Sequence, residues 1–159
     1  MSPSLQFREA CKADLPDILR LLAQPDMDGG EVMPLDEAER VFERIGRYPD
    51  YRMIVAVRDG RIVGSFALLI MDNLGHQGAP SGVIEDVVVD PQCQGQGIGR
   101  AMMRHALALC GEKGCYKAAL SSNLKRERAH AFYESLGFER HGYSFRITPP
   151  SHSLPDDVA

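Results

Sequence analysis

A chain of 159 residues, 44% hydrophobic and 25% charged, has the composition of one compact globular domain and not of a disordered segment. Its net charge is -4 with Lys and Arg scattered, which excludes the basic stripe of a nucleic-acid binder, and no apolar run approaches the ~20 residues of a membrane span. The four cysteines, Cys11, Cys93, Cys110 and Cys115, have neither C-x-x-C spacing nor zinc-site intervals. Met1 to Glu9 lacks a signal-peptide layout, so free thiols in a reducing cytoplasm are expected.

Residues 5–9 alternate apolar and polar, as in a short half-buried strand. Asp14 reads as a helix N-cap, and Leu15, Ile18, Leu19 and Leu22 follow at helical spacing to about Ala23. Pro25 to Gly30 breaks the pattern. Asp36 to Ile45 reads as a second helix with Val41, Phe42 and Ile45 on its apolar side. Tyr51 to Val57 and Arg61 to Ile70 are strand-like and flank the hairpin signal Asp59-Gly60. Residues 71–82 read as a loop.

Val83 to Val89 is predicted as a strand whose apolar end, Val87-Val88-Val89, suits the middle of a sheet covered on both faces. A helix follows, with Ile98, Ala101, Met102, His105, Ala106 and Leu109 as its apolar stripe and Gly111 and Gly114 marking its end. Lys117 to Ser121 is a short strand. Lys125 to Leu136 is a helix ended by Gly137, and Phe138 to Ile147 should add one or two strands. The expected fold is α+β, a mixed but mainly antiparallel sheet flanked by helices. It forms one domain over 1–148, with a flexible tail over 149–159.

Gly95, Gly97 and Gly99 alternate between a buried strand and a helix start. Glycine admits positive φ and close approach of a ligand to the main chain. The first helical turn offers free N–H groups and the positive dipole end, so this arrangement suits a phosphate or pyrophosphate. Arg100-Ala101 lacks the Lys-Ser/Thr of a P-loop. Arg100 also stands where a dinucleotide fold needs its third glycine, and Ser121-Ser122 stands where that fold needs an acid.

The run Val87-Val88-Val89-Asp90-Pro91-Gln92-Cys93-Gln94-Gly95-Gln96-Gly97-Ile98-Gly99 resembles the cofactor motif of the GNAT acetyltransferase superfamily, Arg/Gln-x-x-Gly-x-Gly/Ala. Gln94, Gly97 and Gly99 stand at its defining positions. Downstream, Ala129 to Phe138 resembles the second signature, A-x-x-F-Y-x-x-x-G-F. The strand before the loop and the stretch Ser121 to Tyr133 look most like glucosamine-phosphate and aminoalkylphosphonate acetyltransferases. The resemblance extends over residues 5–147.

This resemblance implies acetyl-coenzyme A as cofactor. Its pantetheine arm would pair with the backbone of Val87, Val88 and Val89. Its pyrophosphate would lie on the loop Gln94, Gly95, Gln96, Gly97, Ile98, Gly99 and Arg100. It implies direct attack of an amine on the thioester, with an N–H near Val87 as oxyanion donor. Tyr133 matches the usual general acid for the leaving thiolate, and its plain alternative is an aromatic packing residue beside Phe132. Glu85 is the candidate for receiving the amine proton, against a solvated strand residue. By strand alternation it shares a face with Val87. His76 is a rival base in a loop, and His105 reads as a packing histidine.

Many relatives carry an asparagine seven residues before the tyrosine. Here Asn123 lies ten before Tyr133. It remains a candidate for the cofactor arm, and Lys125, Arg126 and Arg128 are candidates for the phosphates. Cys93 beside the loop reads as incidental. Acceptor choice is expected in residues 24–36 and 71–82. Asp26, Asp28, Glu31 and Asp36 favour a cationic amine, whereas Arg40, Arg44, Arg47 and Arg52 would suit an anionic one. The leading reading is an N-acetyltransferase for a small-molecule primary amine, with no nucleic-acid or membrane partner and with a homodimer allowed by the resemblance. The alternatives are a protein or peptide acetyltransferase and a non-catalytic coenzyme A sensor.

Overall fold

Residues 4–149 are described by a computed structural model. The chain falls into two compact units, Met1–Leu120 and Ser121–Ala159. The expected tail over 149–159 lies outside the described residues except for Pro149.

The first unit holds a five-stranded sheet in the order β1 (Gln6–Glu9), β2 (Tyr51–Arg58), β3 (Arg61–Met71), β4 (Ser81–Val89) and β5 (Lys117–Ala119). Pairing is antiparallel from β1 to β4 and parallel between β4 and β5, the mixed, mainly antiparallel sheet expected. Among the described residues, the α-helices of this unit are α1 (Leu15–Leu22), α2 (Leu35–Ile45) and α3 (Ile98–Glu112). Alternation along the strands gives the sheet two apolar faces. On one, Val55, Ile62 and Val88 pack with Ile18 and Leu21 of α1. On the other lies α3, which approaches β3 so closely that a Cβ on Gly64 would stand 2.6 Å from the Met102 sulfur. A side chain there would push the helix off the sheet.

The buried side of α3 is Ile98, Met102, Met103, Ala106 and Cys110. Met103 and Cys110 thus replace Ala101, His105 and Leu109 of the expected stripe. His105 is only partly buried and stacks on Phe7 with ring centroids 4.7 Å apart. Gly111 lies inside the helix, and Gly114, at φ 72°, is the residue that turns the chain out of it. The Val87-Val88-Val89 run is covered less than expected, since only Val88 is buried.

Asp14 precedes α1 but does not cap it with its side chain. Its carboxylate turns back instead, accepting from the Cys11 N–H at 2.8 Å and from both Arg8 guanidinium nitrogens at 2.6 and 2.9 Å. The carboxylate is buried, and the bond from Arg8 holds its pKa down at about 2. A depressed pKa contributes stability that is present above the ordinary value of 3.8 and lost as pH falls toward about 2. Asp14→Asn should therefore cost about 1–2 kcal/mol at neutral pH. The difference between variant and wild type, read from urea midpoints, should shrink across that acidic window. An equal gap at both ends would rule the ion pair out as its cause.

The second unit contains α4 (Glu127–Ser135), which starts two residues later than expected because Asn123 builds a turn first. The strands expected over Phe138 to Ile147 do not form. Tyr143, Phe145 and Ile147 do alternate, but they are 91%, 92% and 82% exposed. A strand needs partners for its N–H and C=O groups. The described residues of this unit supply no other strand.

Candidate active site

The sheet opens at β4. β5 pairs only with Ser81 to Val83, so from Ile84 to Val89 one edge of β4 faces no strand among the described residues. On the other edge, Ser65 faces Val88 but Ala67 faces Glu85, so Asp86 and Val87 together oppose Phe66 in a β-bulge. Asp86 takes the left-handed region at φ 53°, which Asp tolerates better than most residues. The bulge corrects the sequence-based expectation for Glu85. Its inserted residue puts Glu85 on the face of Val88 and Ser65, the face that α1 covers, and not on that of Val87.

Beyond β4, the buried Asp90 receives the Gln92 N–H at 2.9 Å and an Arg20 guanidinium nitrogen at 3.2 Å. Those bonds hold its carboxyl below the usual range against the opposing effect of burial. They also fix the turn Pro91–Cys93 that feeds the glycine loop. Gly95 and Gly97 have φ of 75° and 80°, and a Cβ on either would meet nothing within 4 Å. The first helical bond of α3 runs from Ala101 N–H to the Gly97 carbonyl. The amides of Ile98 and Gly99, which precede that bond, are helix-start donors that an anion can use. An open cradle of left-handed glycines at a helix N-terminus, beside a free strand edge, fits the pyrophosphate and amide-bearing arm of coenzyme A.

On the α1 face, Met53, Ala67 and Glu85 stand in one row and Tyr51, Leu69 and Val83 in the next. Burial pushes the Glu85 carboxyl above its ordinary value, and Asp86 adds to the rise. Burial also raises Asp86, followed by the charge of Asp28. The Tyr51 phenol is raised by burial, then by Asp86 and Glu85. Electrostatically, then, the floor of this face is acidic and draws cations.

His76 stacks on Tyr116 with centroids 3.9 Å apart, near the first residue of β4. That end of the strand is roughly 13 Å from Glu85 at strand rise. Cys93 receives a bond from Arg58 at 3.4 Å.

In the second unit, Tyr133 is partly buried between Phe132 and Phe138, at centroid distances of 5.2 and 5.7 Å. Burial raises its phenol above the ordinary value, and Arg126 opposes that rise. Asn123 accepts the Lys125 N–H on its side-chain oxygen at 2.9 Å. Its carboxamide NH₂ is the group it can offer a ligand.

Arg20, Gln24, Tyr51, Asp86 and Asp90 are candidate site residues that the sequence motifs do not single out. Asp90-Pro91 after a strand is a turn signal that could have identified Asp90. No local pattern marks the others.

The profile of the Acetyltransferase (GNAT) family matches residues 16–138. A glucosamine 6-phosphate N-acetyltransferase of Trypanosoma brucei brucei is 35% identical over 90% of this chain and 95% of its own length. An aminoglycoside N(6')-acetyltransferase type 1 of Stenotrophomonas maltophilia is 29% identical over 76% of both chains. A solved structure from Agrobacterium tumefaciens str. C58 superposes with a TM-score of 0.85 at 33% identity, over 91% of this chain and 99% of that one.

Proposed function

Because the chain belongs to the acetyltransferase (GNAT) family, we propose that it moves the acetyl group of acetyl-coenzyme A directly onto a primary amine of a small molecule. The observation that carries this reading is the pairing of a left-handed glycine cradle at the start of α3 with the free edge of β4. Bound acetyl-coenzyme A supplies an activated acetyl thioester. The amides of Gly95 to Arg100 hold the pyrophosphate, and the free edge of β4 from Val87 to Val89 receives the pantetheine arm.

Glu85, Asp86 and Asp28 draw an ammonium to the α1 face. Glu85, its pKa raised, takes a proton from the amine before attack. For the second unit, taken by itself, the resemblance implies that Tyr133 is the general acid for the departing thiolate. The two curated relatives act, by their names, on an amino sugar phosphate and on an aminoglycoside, both small amines. The four free cysteines fit a reducing cytoplasm as the place of reaction.

The test is thermal melting with and without acetyl-coenzyme A, followed by thiol release against a panel of amines. A rise in melting temperature with release by one amine class is expected. No rise would remove the cofactor site, and a rise without release would favour a coenzyme A sensor. With the active amine, Glu85→Gln should lower kcat/KM by ~10²-fold. A base works only when deprotonated, so the wild-type rate should climb as pH rises through a pKa above 4.5, and the variant should lose that limb. An unchanged limb would hand the role to another group such as His76.

A further inference from the structure

At the C-terminal end of α1, Gln24 reaches across to β4 and donates from Nε2 to the Val89 carbonyl at 3.0 Å. Ladder geometry shows on which edge this occurs. The Asp90 N–H bonds to the Val63 carbonyl at 2.9 Å. That bond makes Gly64 and Val89, which face each other, a non-hydrogen-bonded pair. The N–H and C=O of Val89 therefore point away from β3, to the edge that β5 leaves open. Gln24 sits on the free edge itself.

One turn earlier on α1, Arg20 holds Asp90, so two consecutive residues at the end of β4 are fixed from the same helix. Gln24 is itself fixed, with its backbone N–H donating to Leu21 at 3.4 Å and its carbonyl receiving the Met27 N–H at 2.9 Å.

We infer that Gln24 is a positioning residue for the acyl donor. It acts through Val89, holding that carbonyl aligned on the open edge. This rests on the coenzyme A reading of the site. A backbone carbonyl has two lone pairs. With one taken by Gln24, the other remains aimed along the edge for an amide N–H of the pantetheine arm. The Gln24 side-chain oxygen adds an acceptor beside it. Without Gln24, the last carbonyl of β4 loses the side-chain amide that holds it and can turn toward water, so the arm must order it on binding. Gln24 also begins the loop that carries Asp28, whose charge helps raise the Asp86 pKa. The same residue thus joins the donor edge to the segment beside the acidic floor.

The test compares coenzyme A with its nucleotide half, which carries the pyrophosphate but no pantetheine. Gln24→Ala removes the amide. Gln24→Glu keeps the shape but, at neutral pH, can no longer donate to the carbonyl. By calorimetry both variants should bind coenzyme A about tenfold more weakly, bind the nucleotide half as wild type does, and melt close to wild type without ligand.

Wild-type affinity for coenzyme A in both variants would overturn the inference. So would an equal loss for both ligands, since a merely structural defect acts on the whole site. Gly97→Val serves as reference. If that variant keeps its affinity, the coenzyme A site is misassigned. If it loses affinity and the Gln24 variants do not, only the role of Gln24 falls.

Discussion

Gly97→Val should fold and yet bind coenzyme A at least 100-fold more weakly, a loss of about 2.7 kcal/mol or more. Two effects act at this position. Gly97 is left-handed, at φ 80°, a region that costs an L-residue about 1–2 kcal/mol and a β-branched one more. The added side chain would also project into open space, where nothing lies within 4 Å of a Cβ, and that space is the cradle itself. Strain lowers stability, and occupation lowers binding.

Gly60 separates the two. It turns the β2–β3 hairpin at φ 72°, also with nothing within 4 Å. Gly60→Val should lower the melting temperature by a similar amount and leave coenzyme A affinity intact. Weakened binding in both variants would assign the Gly97 effect to general strain, and normal binding by a folded Gly97→Val would remove the loop from the site.

The cradle is legible in the sequence because its causes are local. A strand, three alternating glycines and a helix start sit within a short run, and each residue type states its own backbone requirement. The five strands in chain order and the β2–β3 hairpin are legible for the same reason, through alternation and the Asp59-Gly60 turn, whereas the β1–β2, β3–β4 and β4–β5 pairings join segments far apart in the chain and come from the structure. The face of Glu85 is not. Alternation assigns faces only along an unbroken strand, and the bulge at Asp86 adds a residue where no glycine announces it.

Asp14 shows a related limit. Its position before α1 is readable, but the choice between capping the helix and binding Arg8 depends on where β1 has been placed. Residues 138–147 have the period of a strand without a partner for it among the described residues of their unit. Gln24 and Arg20 lie 65 and 70 residues from the groups they hold, so no window along the chain contains both ends of either contact.

Tyr133→Phe should lower kcat by ~10²-fold while coenzyme A affinity stays unchanged. The substitution keeps the ring, and with it the packing against Phe132 and Phe138, and removes only the hydroxyl. A phenol serves a departing thiolate as acid while protonated, and burial pushes the Tyr133 pKa above its ordinary 10. The wild-type kcat should therefore hold through neutral pH and fall only as pH rises past that value, and the phenylalanine variant should lose that alkaline limb. Arg126 pulls the pKa the other way, so Arg126→Met should move the limb to still higher pH. Rapid-mixing kinetics with the active amine first establish that chemistry limits turnover. Under that condition, an unchanged kcat in Tyr133→Phe would leave the tyrosine as a packing residue and give protonation of the sulfur to solvent or to another group.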